Sequence, residues 1–108
     1  MHRIKTILVT GAAGFIGANL CLKLFEKSEN VHIIGIDNMN AYYDVNIKKW
    51  RLSEIERVAG VVSSNGSRWN FVEGNIADKE CINRLFGGII RMCEQVAAFG
   101  NTLILYSA

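Results

Sequence analysis

The sequence is short of several things, and each shortage narrows its class. No apolar run approaches the length of a membrane span, which argues against a bilayer-crossing helix. Met1 to Arg3 is basic, but the apolar run behind it is too short for a secretory signal and passes straight into a glycine turn. The three cysteines, Cys21, Cys81 and Cys93, are odd in number and show no C-x-x-C spacing. A disulfide framework or a zinc site is therefore not expected. Each falls among apolar residues on a predicted helix, where a buried small hydrophobe is the simplest reading. The net charge of +2 is mild and its basic residues are scattered, which disfavours nucleic acid or an acidic membrane surface as partner. His2 and His32 have no second ligand at metal spacing, so no metal site is expected. A reducing, cytoplasmic setting fits this composition. There is no internal repeat and no low-complexity segment.

What is present is concentrated near the start. Ile7 to Val9 reads as a buried strand, and Gly11, Gly14 and Gly17 follow at the spacing G-x-x-G-x-x-G. An amphipathic helix then begins. Strand, glycine turn and helix in that order suit a dinucleotide pyrophosphate. Gly11 permits the tight turn, Gly14 lets the backbone approach the phosphates, and Gly17 lets the helix pack closely on the sheet. The first helical turn, with Phe15 and Ile16, offers main-chain N–H groups and the positive end of the helix dipole. The second strand, Val31 to Ile36, ends in Asp37, about twenty residues beyond Gly17, where such folds place the acid that accepts bonds from the adenosine ribose. Asn38 follows it. The competing reading is an ordinary glycine turn with Asp37 as a helix cap.

The half-apolar composition supports a packed core, and 108 residues suit one small domain. Strands are predicted at about Ile4 to Thr10, Val31 to Ile36, Trp69 to Glu73 and Thr102 to Tyr106. The first helix is predicted from Gly14 to Lys27, with Ile16, Leu20 and Leu24 facing the sheet and Cys21 and Phe25 beside them. Asp44 is a candidate cap for a helix over Val45 to Val58, with Ile47, Trp50, Ile55 and Val58 inward. Trp50 and Trp69 read as core or half-core residues. Gly60 to Ser67 reads as a loop, and the glycosylation-like Asn65-Gly66-Ser67 as a turn. Asp78 is expected to cap a short helix to Phe86. A further helix to Phe99 follows, carrying Ile89, Met92, Cys93 and Val96 on one face and stopped by Gly100-Asn101. Alternating strands and helices argue for an α/β fold with a parallel sheet.

These residues carry a family resemblance. Thr10-Gly11-Ala12-Ala13-Gly14-Phe15-Ile16-Gly17 resembles the signature of extended short-chain dehydrogenase/reductases, the NAD-dependent epimerase/dehydratase family. Asp37-Asn38-Met39-Asn40-Ala41-Tyr42-Tyr43-Asp44 is similar to the segment after the second strand in the UDP-glucuronate 4-epimerase branch. Phe71-Val72-Glu73-Gly74-Asn75-Ile76-Ala77-Asp78 resembles that family's F-x-x-G-D-I-x-D. The resemblance runs from about Lys5 to Phe86. It implies a Rossmann fold, NAD as cofactor, and a reversible oxidation at C4 of a nucleotide sugar through a keto intermediate. It also implies a tyrosine base in a Y-x-x-x-K pair, with a Ser or Thr polarising the reacting oxygen. The residues it assigns to the cofactor are Gly11, Gly14, Phe15, Ile16, Gly17, Asp37, Asn38, Asn75 and Ile76. Packing of the following helix is preferred over ligand contact for Tyr42 and Tyr43.

The sequence departs from the family in three places. Asn75 stands where the family has an aspartate facing adenine; its amide oxygen can still accept that bond, without charge. A strand expected after Phe86 is missing, and Gly87 to Gly100 resembles the family's next helix. No Y-x-x-x-K is present: four residues after Tyr42 and Tyr43 stand Asn46 and Ile47, and only two residues follow Tyr106. Ser107 is about a residue away from matching the family's serine. Residues 1–108 thus read as a single truncated NAD-binding Rossmann domain without its substrate domain and without catalytic residues.

The expected sheet has about four parallel strands in the order 3-2-1-4. Thr102 to Tyr106 pairs with the first strand, Gly87 to Phe99 serves as crossover, and an open edge invites self-association. Asp37 favours NAD over NADP, and no arginine follows it before Arg51, so no guanidinium clamp for a 2′-phosphate is expected nearby. A non-catalytic dinucleotide-binding module, a ligand-free remnant and another nucleotide-sugar epimerase or dehydratase stay open as alternatives.

Overall fold

The computed structural model describes residues 5–39, 45–74, 80, 95–99 and 102–106. Its first half is two successive strand–helix–strand units: β1 (Lys5–Thr10), α1 (Phe15–Lys27), β2 (Val31–Asp37), α2 (Val45–Val62) and β3 (Arg68–Glu73). β1 and β2 run parallel, with Ile7 opposite Ile33, and β2 and β3 run parallel, with Gly35 opposite Phe71. Two further strands, β4 (Gln95–Phe99) and β5 (Thr102–Tyr106), complete a sheet of order β3-β2-β1-β5-β4. The three parallel strands and their two helices form a partial Rossmann fold.

Both helices lie on one face of the sheet. Ile7, Val9, Val31 and Ile33 form one buried cluster with Ala18, Cys21 and Phe25 of α1 and Ile55 and Ala59 of α2. Strand residues alternate between faces, so Leu8, Ile34 and Ile36 point the other way, and they too are buried. Burial on both faces is why β2 reads as a nearly unbroken apolar run. Each such fully buried side chain stabilises the fold by about 1.5–3 kcal/mol. Gly35 lies beneath Trp69. A Cβ at Gly35 would meet the Trp69 ring and come within 2.7 Å of the Ala12 Cβ. Trp69, half-buried as expected, packs edge-on against Phe25 and stacks on Phe71, both with ring centroids 6.4 Å apart.

The helix faces differ from the expected ones. In α1 the buried residues are Gly17, Ala18, Cys21 and Phe25; Leu20 and Leu24 are partly buried, and Ile16 is exposed. In α2 Ile55 is buried and Val58 partly so, as expected, but Ile47 and Trp50 face outward, Trp50 with 63% of its surface exposed. The inward stripe is instead Lys48, Leu52, Ile55, Ala59 and Val62, a regular alternation of four and three residues. The helix runs on to Val62, past the expected end at Val58. The loop after it contains a short 3₁₀ turn, Ser63–Asn65, closed by Gly66 at φ +90°, so Asn65-Gly66-Ser67 is a turn as expected.

The second half of the expected sheet needs correction. Thr102–Tyr106 does pair with β1, with Leu8 opposite Leu105, but antiparallel rather than parallel. Residues 95–99, expected at the end of a helix, form β4, which pairs antiparallel with β5 from Gln95↔Tyr106 to Phe99↔Thr102. Only Gly100 and Asn101 separate the two strands, and a parallel return needs a crossover of about a dozen residues or more. A Gly-Asn dipeptide between apolar runs is a hairpin signal that competes with its reading as a helix stop. β4 occupies the sheet edge that was expected to be open beside Thr102–Tyr106. The helices expected at residues 78–86 and 87–94, the cap Asp44, and Tyr42, Tyr43, Cys81 and Cys93 lie outside the described residues.

Cys21 is fully buried, as expected, and burial pushes its thiol up to about 12. Its value in the unfolded chain is near 9. The folded state therefore holds the neutral thiol, and the resulting stability is complete below pH 9 and lost as pH rises toward 12. Urea unfolding should show wild type losing stability more steeply than Cys21→Ala above pH 9, although the variant starts less stable at pH 8. Parallel alkaline slopes would contradict this.

Candidate functional site

The site lies at the C-terminal ends of β1 and β2. Gly11 takes φ +63°, a left-handed conformation that costs glycine little, and turns the chain out of β1. The Gly14 N–H donates to the Gly11 carbonyl at 3.0 Å and closes the turn. The first intrahelical bond of α1 is Ala18 N–H to the Gly14 carbonyl, 2.9 Å. The N–H groups of Phe15, Ile16 and Gly17 therefore precede the helical ladder, and Gly14 provides no side-chain cap for them. With no acidic residue in the first turn, the helix dipole leaves this end positive.

The turn is pinned to the end of β2 by two bonds. The Ala12 N–H donates to the Ile36 carbonyl at 3.1 Å, and the Ala13 N–H to the Asp37 carboxylate at 3.1 Å. Asp37 is buried, and its other oxygen accepts the Met39 N–H at 2.8 Å and the Lys48 ammonium at 3.1 Å. Lys48 is buried with it, so the two make an ion pair shielded from solvent. One turn along α2, Arg51 donates to the Ala13 carbonyl at 3.2 Å and lies over the Phe15 ring, 5.9 Å from its centroid.

Gly11, Gly14, Phe15, Ile16, Gly17 and Asp37 thus lie together at one end of the sheet. Asn38 follows Asp37 and is exposed, while Asn75 and Ile76 lie outside the described residues. The sequence reading missed Lys48 and Arg51. The expectation that no guanidinium stands near this site is corrected: α2 folds back and brings Arg51 to the Ala13 carbonyl of the turn, and Lys48 onto Asp37 itself. The signal was available: Lys48 heads the stripe that continues through Leu52, Ile55, Ala59 and Val62, a stripe obscured by the bulkier but outward Ile47 and Trp50.

The glycines can be tested as a cradle. Among the described residues, a Cβ on Gly14 would meet only the Gly11 carbonyl oxygen, at 3.2 Å, so the space over the turn is otherwise open. A Cβ on Gly17 would collide with that same oxygen, lie 2.8 Å from the Gly11 carbonyl carbon and 3.1 Å from the Ala12 Cα. An open backbone cradle beside a positive helix end, with a carboxylate at the neighbouring strand end, fits a dinucleotide.

Comparison with known proteins agrees with this geometry. The family model described as GDP-mannose 4,6 dehydratase matches residues 8–99, and the chain belongs to the NAD-dependent epimerase/dehydratase family. Among individual relatives, it is 41% identical over 81 residues to UDP-glucuronate 4-epimerase 4 of Arabidopsis thaliana, covering 75% of this chain and 16% of that protein. It is 35% identical over 89 residues to UDP-glucuronate 4-epimerase 5 of the same plant, covering 82% and 18%. An uncharacterized protein of Methanocaldococcus jannaschii is 38% identical over 80 residues, covering 72% and 24%. The chain spans less than a quarter of the length of these relatives.

The two glycines predict different outcomes. Gly17→Ala drives its methyl into the Gly11 and Ala12 backbone and should cost about 3 kcal/mol. Gly14→Ala should cost about 1 kcal/mol or less, since a single carbonyl needs to yield slightly. Urea midpoints of the two variants check this, and equal midpoints would contradict the packing described.

Proposed function

We propose that this chain is the NAD-binding portion of a nucleotide-sugar epimerase resembling UDP-glucuronate 4-epimerase, which interconverts UDP-glucuronate and UDP-galacturonate through a 4-keto intermediate. The observation that supports it most is the Asp37 carboxylate at the end of β2, bonded to Ala13 in the glycine turn beside the uncapped start of α1. In this reading the N–H groups of Phe15 and Ile16 receive the pyrophosphate, and Gly14 leaves room for it. Gly11 and Gly17 set the turn and the close approach of the helix. Asp37 keeps one acceptor position, on the oxygen that Ala13 bonds, for a ribose hydroxyl, and a carboxylate there favours NAD over NADP. Asn38 is assigned to the ribose, and the family resemblance assigns Asn75 and Ile76 to the cofactor as well. When bound, NAD supplies reversible hydride transfer. The relatives' sugar, UDP-glucuronate, is the substrate assigned to the complete enzyme.

Isothermal titration of the 108-residue chain with NAD tests the reading. Saturable binding is expected in wild type. Gly14→Val should remove it while circular dichroism stays that of a folded chain, because a branched side chain fills the cradle. Undiminished binding by Gly14→Val would place the phosphates elsewhere.

The same reading predicts no turnover of UDP-glucuronate by this chain. Removing the sugar hydroxyl proton needs a base within hydrogen-bond reach, and no tyrosine here has a lysine four residues on. UDP-galacturonate formation by the purified chain, with contaminating epimerase excluded, would reveal a different base.

A further inference from the structure

We propose that the Lys48 ammonium, through its ion pair with Asp37, sets how strictly the site separates NAD from NADP, an inference that rests on the NAD-binding reading. A lone carboxylate at the end of β2 would reject a ribose 2′-phosphate by like-charge repulsion. Here the carboxylate is not alone. Asp37 and Lys48 are only 6% and 7% exposed, and their charged atoms stand 3.1 Å apart. The pair sums to zero charge, and water screens little of its field at that depth. A 2′-phosphate at this point faces a neutral pair in place of a bare negative charge.

The donors point the same way. An ammonium carries three N–H donors, so Lys48 can keep its bond to Asp37 while donating to a second acceptor. Asp37 already accepts three bonds, from Ala13, Met39 and Lys48, and a carboxylate offers about four lone-pair sites. Its capacity for ribose hydroxyls is therefore nearly spent within the protein. Arg51 adds a second positive charge beside Ala13. The preference for NAD is accordingly weak in wild type, and Lys48 is what weakens it.

The test is the ratio of NADP to NAD dissociation constants, measured by calorimetry on the 108-residue chain. Lys48→Met should raise the ratio about tenfold, because the carboxylate is then unopposed. Lys48→Arg keeps the charge and should hold the ratio near wild type. A buried, unpaired Asp37 endangers folding, so a second comparison removes the carboxylate first. Asp37→Asn should lower the ratio, and the double variant Asp37→Asn/Lys48→Met should raise it again, since a lysine that attracts the phosphate has been taken away. If Lys48 only supports the fold, both affinities fall together, the ratio is unchanged in Lys48→Met, and Asp37→Asn matches the double variant; that pattern overturns the proposal. If wild type binds neither dinucleotide, the NAD-binding reading itself fails and the proposal with it.

Discussion

The carboxylate of Asp37 ties three parts of this fold to one buried charge. Its hydrogen bonds reach the turn after β1 through Ala13, the loop after β2 through Met39, and α2 through Lys48. Burying a carboxylate costs several kcal/mol unless it is paired and hydrogen-bonded, and here both conditions are met. The cost is offset only when the turn, the loop and α2 adopt their present relation. The group therefore acts as a geometric condition on the region more than as a simple source of stability. That condition also explains Met39, which takes φ +54° two residues past the strand end and whose N–H turns back onto Asp37. A side chain in the left-handed region is strained by roughly 1–3 kcal/mol, and a hydrogen bond to a charged acceptor offsets strain of that order.

The first unit was legible because several local signals agreed there. A short apolar run gives a strand, a glycine at the first turn position gives a positive φ, and an apolar helix face gives the crossover. Each of these is a near-neighbour property, and each appears within a residue or two of its expected place. The position of Asp37 follows from the same rule, since the length of α1 and its return loop sets where β2 ends. Lys48 and Arg51 depend on something else, the rotation of α2 about its own axis. Bulky apolar side chains suggested a face through Ile47 and Trp50. The actual face is set by which residues can lie against α1 and the sheet along the whole helix, and only the stripe from Lys48 to Val62 does so continuously. A buried lysine is then required to find an anion, and Asp37 is within reach.

The strands β4 and β5 show a different kind of failure. The segment before Gly100 carries helical spacing, with Met92, Cys93 and Val96 on one face, and the family pattern placed a helix there. Spacing over so few residues does not separate a helix from a strand. What decides is the partner. β5 needs hydrogen bonds on both edges, β1 supplies one, and a neighbour two residues away in sequence supplies the other at a small loop-closure cost. The hairpin sets β5 antiparallel to β4, and β5 also runs antiparallel to β1, so β4 and β1 point the same way. The parallel part of the sheet thus stops at β1.

That boundary bears on function. In the parallel region, the strand ends, the glycine turn and the start of α1 point toward one edge, where main-chain N–H groups and the Asp37–Lys48 pair meet. In the reading proposed above, these groups take the adenosine half of a dinucleotide, whose charge lies in its phosphates and whose ribose offers hydroxyls. Chemistry at the nicotinamide end requires a base held near the sugar, and in the family that base comes with a lysine one helical turn away. The sequence holds the first set of groups and not the second. Affinity and turnover are therefore separable here: a dinucleotide can be held by groups that take no part in moving a sugar proton. Gly14 tests the first property without touching the second. The charge balance between Asp37 and Lys48, in the inference proposed above, governs a narrower matter still, which is the dinucleotide admitted.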